Sequence, residues 1–267
     1  MPEDEFPEFD TSVAHPARIY DYWLGGKDNF AADRAAGDRV IEIRPDIIVG
    51  VRANRRFLGR AVRYLVEREG IRQFLDIGTG LPGANNTHEV AQALAPDARV
   101  AYADNDPIVL AHARALLTSA PEGRTAFISA DLRDVAKVLG EAAETLDFGR
   151  PVAVMFLMTL QYVPDGDDPH AIVARYLEAL APGSFLVVSD TTIHDHDAVL
   201  TESTRRMNEG MAGQATQTRR TTPEVLRFFD GLELVAPGLT MLDHWRPEPD
   251  DPGGRDFPAY CGIGRKG

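Results

Sequence analysis

The sequence predicts an α/β fold: a doubly wound, mostly parallel, seven-stranded sheet with an antiparallel last strand, preceded by an N-terminal helical layer. From residue 71 onward, short apolar runs alternate with helix-like segments, as in parallel sheets with helical crossovers. The residues before that point show helical patterning and no comparable run. No helical segment separates the last two strand-like runs, which favours an antiparallel pair.

Composition and charge limit the possible classes of protein. The chain has 267 residues, of which 44% are hydrophobic and 26% charged, as in globular proteins. Its net charge of −13 disfavours nucleic acid and anionic membranes as partners. The lone cysteine, Cys261, excludes intramolecular disulfides and multi-cysteine metal sites, and no metal is expected. Without a membrane-length apolar run or a secretory signal, we expect a cytoplasmic protein, whose oligomeric state stays open.

Residues 1–70 are predicted to form a helical cap on the sheet domain of residues 71–267. Three aromatic residues lie close together in the first helix, namely Tyr20, Tyr22 and Trp23. The predicted helices begin after His15-Pro16, near Asp28 and at Pro45. Gly25-Gly26 should end the first helix, because a glycine costs about 1 kcal/mol inside a helix.

The third predicted helix combines an apolar stripe with a row of arginines. The stripe, which should be buried, consists of Phe57, Leu58, Ala61, Val62 and Leu65. The arginines, also at helical spacing, are Arg52, Arg55, Arg56, Arg60 and Arg63. We interpret this row as a solvated helix face rather than a nucleic-acid site.

The sheet domain is predicted from seven apolar runs and the helix signals between them. The predicted strands are residues 71–77, 100–103, 125–129, 152–158, 184–189, 232–245 and 259–264. The predicted helices are residues 86–94, from 107, 134–142, 169–180, 198–211 and 222–229. Asn86 with Glu89 forms a capping-box pattern, and Asp106 and Asp168 each precede a proline, which is typical of helix starts.

The turn after the first strand, in FLDIGTGLPG, is the strongest indication of a ligand site. Gly78 and Gly80 would let a ligand lie against the backbone, and Asp76 stands at the end of the strand, where ligands bind in open α/β sheets. The pattern G-x-G-x-x-G also matches a dinucleotide site. However, Pro82 removes a backbone N–H, and Asp76 would repel a pyrophosphate. A carboxylate here suits a cationic amine such as that of S-adenosylmethionine (SAM), although an ordinary capped turn is the alternative.

Three further strand ends carry residues that could extend this site. Asp104, followed by Asn105, ends the second strand about 20 residues beyond the glycine turn, a position suited to ribose hydroxyls. Asp131 ends the third strand and could accept a hydrogen bond from an adenine amino group, with Leu132 against the ring. Leu157 lies at the end of the fourth strand. An Asp often only caps a helix, so a single Asp at a strand end is weak evidence of a ligand site. Asp76, Asp104 and Asp131 at three successive strand ends are much stronger evidence.

These motifs resemble those of a known enzyme superfamily. FLDIGTG, AYADNDP, ISADLRD and the strand running into LQYVPD resemble the successive motifs of Rossmann-like SAM-dependent methyltransferases. YCGIGRK is similar to the final antiparallel strand of that fold. HPARIYDYWLGGKDNFAADR resembles the N-terminal signature of a methyltransferase family long catalogued as a domain of unknown function. The likeness covers nearly the whole chain after residue 14.

The resemblance implies a SAM site with a role for each strand end. It places Asp76, Gly78 and Gly80 around the amino-acid moiety. It places Asp104 at the ribose, and Asp131 with Leu132 at the adenine. One departure is Pro82, which displaces the third glycine of the usual loop and puts backbone donation there in doubt.

The aromatic N-terminal segment has two interpretations that the sequence leaves open. Tyr20 and Tyr22, with Trp23, could pack in a helix core or form a lid that stacks over the sulfonium. In the second case Gly25-Gly26 would act as a hinge, and Asn29 beyond it would also reach the cofactor.

We therefore predict a SAM-dependent methyltransferase acting on an unidentified small molecule. No nucleophile–base pair stands out, as expected if positioning and desolvation supply most of the catalysis. His194 and His196 are candidate bases, although H-x-H on a polar loop is more often a solvated turn. The alternatives are a nicotinamide-dependent oxidoreductase and a non-catalytic SAM-binding regulator.

Overall fold

The computed structural model describes residues 10–83, 85–116, 119–193, 197–213, 215–249, 251 and 257–267. One mixed sheet contains the eight strands found in these residues, in the order β3-β2-β1-β4-β5-β8-β6, with β7 also paired to β8. The strands are β1 Gln73–Ile77, β2 Arg99–Asp104, β3 Arg124–Ser129, β4 Ala153–Leu157, β5 Phe185–Thr191, β6 Glu233–Leu234, β7 Thr240–Met241 and β8 Ala259–Arg265. The first five are parallel and β8 is antiparallel to its neighbours, which confirms the predicted fold class.

Nine α-helices lie within the described residues. They are α1 Pro16–Leu24, α2 Ala31–Ile41, α3 Ile47–Glu67, α4 Thr87–Leu94, α5 Pro107–Leu116, α6 Val135–Ala142, α7 Pro169–Glu178, α8 Ala198–Gly210 and α9 Thr222–Leu226. The predicted capping box at Asn86 and Glu89 is present, and Asp168 accepts a hydrogen bond from the Ala171 N–H at 3.1 Å. Local signals therefore located most helix starts correctly.

The predicted strand 232–245 is wrong. Only the dipeptides β6 and β7 pair with β8, at different points along the same edge, and Leu242–His244 forms a 3₁₀ turn. Pro237 has no N–H to donate to a ladder, and Gly238 has φ +88°. The sheet thus has seven strand positions. The position at the edge beside β8 is occupied by two short strands, β6 and β7.

Two hydrophobic cores cover the two faces of the sheet. Phe74 belongs to the core on the α3 and α4 face, whereas the next residue, Leu75, belongs to the core on the opposite face. On β4, Met155 and Phe156 divide in the same way, because successive side chains of a strand point to opposite faces. Burial on both faces explains the continuous apolar runs of these strands.

The arginine row of α3 is a solvated face only in part. The Arg60 side chain is buried and donates to the carbonyls of Trp245 and Leu242, at 2.9 and 2.7 Å. Arg56 binds the Asp243 carboxylate at 2.8 Å. The predicted solvation is therefore wrong for Arg56 and Arg60, because residues 242–245 cover this part of the helix.

The N-terminal helices pack beside the carboxyl edge of the sheet. Trp23 and Val40 share a hydrophobic cluster with Met207 of α8, and the Trp23 indole N–H donates to the Gly37 carbonyl at 3.3 Å. This packing fixes Trp23 in a core. It also brings the first turn of α1 to the end of β1, where we find the candidate site.

Candidate cofactor and active site

A cavity of about 430 Å³ opens at the carboxyl ends of β1 to β4. The first turn of α1, the middle of α3 and three residues after α8 (Gly213, Ala215 and Thr216) also line it. β1 and β4 are neighbours, although the chain passes through β2 and β3 between them. This is a topological switch point of the sheet, where ligands of open α/β folds bind.

The glycine turn forms one wall of the cavity. Gly78 and Gly80 have φ of +70° and +65°, in the left-handed region that favours glycine. A Cβ added at Gly78 would lie 2.3 Å from the Thr159 methyl group, and one added at Gly80 would lie 3.9 Å from the Ala17 Cβ. The turn is therefore closely packed against Thr159, just beyond β4, on one side and approached by α1 on the other.

Asp76 places a buried carboxylate in the cavity. Its Oδ2 accepts a hydrogen bond from the Thr87 hydroxyl at 2.6 Å. Burial raises the pKa of Asp76 to about 6, and the nearby Arg55 charge opposes that rise. No ion pair within 4 Å is found for this carboxylate among the described residues, so a ligand cation would be a suitable partner.

Asp104 is oriented by backbone donors at the end of β2. Its Oδ2 accepts from the Gly80 N–H and its Oδ1 from the Asp106 N–H, both at 2.9 Å. Burial raises its pKa. Since each carboxylate oxygen has two lone pairs, both oxygens keep capacity for a ligand hydroxyl. The next residue, Asn105, also lines the cavity.

Asp131 at the end of β3 is held by an arginine. The Arg133 guanidinium donates to Oδ1 at 2.8 Å and to Oδ2 at 2.5 Å, and this hydrogen bonding lowers the pKa of Asp131. The Arg133 side chain also pairs with Asp167 at 2.9 Å. Leu132 lies beside this pair in the cavity wall, and its carbonyl accepts a hydrogen bond from Tyr176.

The structure brings most of the residues predicted to bind the cofactor into this one cavity. Those that line it are Tyr20, Asp76, Gly78, Gly80, Asp104, Asn105, Asp131, Leu132 and Leu157. Tyr22 and Asn29 do not: the Tyr22 hydroxyl donates to Asp38, and the Asn29 amide donates to Asp21. In this structure both side chains are therefore directed to partners outside the cavity. The candidate bases, His194 and His196, lie outside the described residues.

A hydrogen-bonded chain that sequence reasoning missed fixes the position of Tyr20. The Ser189 hydroxyl donates to the Asn54 side-chain oxygen at 2.7 Å, and the Asn54 amide donates to the Tyr20 hydroxyl at 3.0 Å. That hydroxyl in turn donates to the Val51 carbonyl. Asn54 has the same helical spacing as the buried stripe of α3, and a polar residue in that register was the available signal.

His15 links the N-terminal segment to the end of β2. Its Nδ1 lies 2.9 Å from Asp106 Oδ2, and its backbone N–H donates to Asp33 at 2.9 Å. His15 also lines the cavity. The start of α1 is therefore attached to the segment that carries Asp104.

The described residues hold neither a cluster of metal ligands nor a membrane-spanning helix. Within the described ranges, no group of three or more His, Cys, Asp and Glu side chains is arranged to hold a metal ion. None of the helices described is long and apolar enough to cross a membrane.

Comparisons with known proteins agree with this geometry. A crystal structure of a DUF574 family protein from Streptomyces avermitilis has a TM-score of 0.91 and 44% identity, covering 97% of this chain and 99% of that one. A candidate methyltransferase from Thermobifida fusca has a TM-score of 0.87 and 39% identity, covering 99% and 98%. Human N-acetylserotonin methyltransferase in complex with SAM shares only the fold, with a TM-score of 0.50 and 14% identity over 96% and 63%.

A family profile described as S-adenosyl methyltransferase matches residues 2–267. No curated protein matches the chain. The alternative of a nicotinamide-dependent oxidoreductase finds no support in these comparisons. The chain belongs to the S-adenosyl methyltransferase family and is a SAM-dependent methyltransferase, with SAM as its cofactor.

Proposed function

We propose that this enzyme transfers the methyl group of SAM to a small-molecule acceptor that binds in the same cavity, toward the ends of β4 and β5. The observation that carries this proposal is the placement of three carboxylates at the ends of β1, β2 and β3, in one cavity. They lie on one side of the switch point. The other side of the cavity, near Met158 and Tyr162, is left for an acceptor.

The order of the strands supports an assignment for each part of the cofactor. The adenine amino group, the ribose hydroxyls and the methionine ammonium all donate hydrogen bonds, and carboxylates accept them. Along the sheet, Asp131, Asp104 and Asp76 follow one another in the order adenine, ribose, methionine. The buried Asp76 carboxylate fits the ammonium best, because a cation would offset the cost of its burial.

Arg55 is proposed to face the methionine carboxylate. It lines the cavity beside Asp76, and its Nη2 donates to the Asn85 carbonyl at 3.2 Å. A carboxylate and a guanidinium side by side match the two charges of an amino-acid group. The sequence did not reveal this role, because Arg55 belongs to the row that we interpreted as a solvated face.

The protein's contribution to catalysis would be binding, orientation and exclusion of water. Bound SAM supplies an electrophilic methyl group and a neutral thioether as leaving group. Tyr20, fixed by Asn54, and the first turn of α1 would shield the reacting methyl from water. Leu157 at the end of β4 would present an apolar surface there. For an oxygen or nitrogen acceptor, His194 and His196 remain the candidate bases.

Asp76→Asn is expected to weaken SAM binding by about tenfold to a hundredfold, since a charge-assisted hydrogen bond contributes roughly 1.5–3 kcal/mol. In the wild-type protein, affinity should fall as the pH drops through about 6, because the protonated Asp76 cannot pair with the ammonium. Isothermal titration calorimetry between about pH 5 and 8 would measure both effects.

The pH step near 6 should shrink in Asp76→Asn, because the variant has no carboxyl group to protonate at this position. Asp230→Asn is a matched control that removes one exposed carboxylate. Identical affinity profiles for Asp76→Asn and the wild type would remove Asp76 from the methionine site.

Residues 15–34 are expected to close further over the bound cofactor. The local structure explains why glycine stands at both Gly25 and Gly26. Gly25 ends α1 with φ +83°, and a Cβ on Gly26 would lie 1.9 Å from an Asp21 oxygen. Their presence therefore no longer argues for a hinge by itself. The lid stays a prediction that rests on the cavity-lining positions of His15 and Tyr20.

Hydrogen exchange with and without S-adenosylhomocysteine, the demethylated product, would test the lid. Exchange should slow across residues 15–34 by a larger factor than across α3, which serves as the internal control. If residues 15–34 were as well protected from hydrogen exchange without S-adenosylhomocysteine as with it, they would form a fixed core and not a lid.

A further inference from the structure

A small side chamber adjoins the main cavity at the ends of β4 and β5. Its volume is about 30 Å³, enough for roughly two waters. The residues that line both spaces are Tyr20, Met158, Gln161 and Tyr162. The chamber lies on the side of the switch point opposite Asp76, Asp104 and Asp131, where we place the acceptor.

The charged residues of this chamber differ from those of the cofactor end, where Arg55 and Arg133 accompany the three carboxylates. Arg44 and Arg219 line the chamber, and no carboxylate does so among the residues described. The remaining lining residues are apolar or neutral. The carboxylates therefore line the main cavity, whereas these two guanidinium groups line the side chamber that adjoins it.

Arg219 has only neutral hydrogen-bond partners in the described part of the chain. It donates to the Thr204 hydroxyl at 2.9 Å and to the side-chain oxygens of Gln161 and Gln217, at 2.5 and 2.6 Å. A guanidinium has five N–H donors, so these three bonds leave two. Burial lowers the pKa of Arg219 to about 10. A partly buried cation of this kind is stabilised by an anion at hydrogen-bond distance.

Arg44 is buried beside the same chamber and is also weakly paired. Its guanidinium lies 4.3 Å from the centre of the Phe257 ring, and its Nε lies 3.4 Å from the half-exposed Asp46 carboxylate. The two terminal nitrogens have no hydrogen-bond partner in the described ranges. Burial lowers the pKa of Arg44.

Asp190 is a buried acid whose charge acts on Arg219, but it does not line the chamber. Its carboxylate lies 3.9 Å from Arg220, and neither oxygen has a hydrogen bond to a described residue. Asp190 therefore reduces the local positive charge without satisfying the open donors of Arg219 and Arg44.

We propose that the methyl acceptor carries a carboxylate, which binds in the side chamber between Arg219 and Arg44. The rest of the acceptor would lie against Met158 and Tyr162, with its nucleophilic atom toward the cofactor. This inference rests on the proposed function. A planar carboxylate matches the two-pronged geometry of a guanidinium, and the small volume favours it over a tetrahedral phosphate.

The test compares the binding of benzoate with that of its neutral isostere, benzamide. The protein is first saturated with S-adenosylhomocysteine, so that the carboxylate of this ligand already occupies the cofactor end. Calorimetric or NMR titration should give saturable benzoate binding about tenfold or more tighter than benzamide binding. Arg219→Gln should abolish this preference and Arg219→Lys should restore part of it. Arg205→Gln, on an exposed face of α8, should leave it unchanged.

The outcomes test the proposed function and the carboxylate site separately. If S-adenosylhomocysteine itself fails to bind, the proposed function is wrong. If it binds, but benzoate does not saturate or binds no tighter than benzamide, the carboxylate site is wrong. This contrast is made in the wild-type protein and does not depend on the stability of any variant. Retention of the full preference in Arg219→Gln would also overturn the proposal.

Discussion

Replacing Asp104 with alanine should lower the affinity for SAM by about two to four orders of magnitude. We expect the carboxylate to hold both ribose hydroxyls, and each charge-assisted hydrogen bond contributes roughly 1.5–3 kcal/mol. The backbone donors of Gly80 and Asp106 already orient its two oxygens, so little ordering is needed on binding. Calorimetry with S-adenosylhomocysteine measures the loss directly.

Loss of those same backbone contacts could also loosen the glycine turn, so Asp104→Asn is the companion variant. Its amide keeps one acceptor oxygen and should retain an intermediate affinity. A folded Asp104→Ala protein with wild-type affinity would refute the ribose assignment. Thermal unfolding without ligand separates damage to the turn from loss of the contact.

Gly78→Ala is expected to destabilise the protein by about 2–4 kcal/mol and to abolish cofactor binding. A non-glycine residue with left-handed φ costs about 1 kcal/mol, and overpacking adds roughly 1–3 kcal/mol. Overpacking applies here because the new Cβ would lie 2.3 Å from the Thr159 methyl group. Thr159 cannot easily move, since its hydroxyl donates to the Ile77 carbonyl at 3.1 Å.

Gly70 provides a matched control for this variant. Its φ of +71° is nearly that of Gly78, but a Cβ there would meet no atom within 4 Å. Gly70→Ala should therefore show the cost of the backbone conformation alone. Denaturant unfolding of both variants gives the difference, and equal destabilisation would contradict the packing argument.

Features determined by neighbouring residues could be predicted from the sequence. The capping box at Asn86 and the glycine turn at Gly78 need only residues a few positions apart. The carboxylates at the strand ends were predictable because the alternation of strands and helices places successive strand ends at one edge of the sheet. These signals were sufficient for the fold class and for most of the proposed cofactor site.

Features determined by distant residues could not be predicted in the same way. The spacing of Arg56 and Arg60 on α3 does not reveal that residues 242–245 cover them. Tyr22 lies in the aromatic segment that suggested a lid, but only the packing of α1 on α2 shows that its hydroxyl is directed to Asp38. The positive chamber was equally hidden, since Arg44 and Arg219 are far apart in the chain.

The contacts of Arg60 have a consequence for the order in which the enzyme can assemble during synthesis. Arg60 and its carbonyl partner at Trp245 are 185 residues apart, and Arg56 and Asp243 are 187 apart. Such long loops close late, because their entropic cost must be met before the contact forms. Asn54 and Arg55 lie on the same helix, so this wall of the active site gains these stabilising contacts only after residue 245 has emerged from the ribosome.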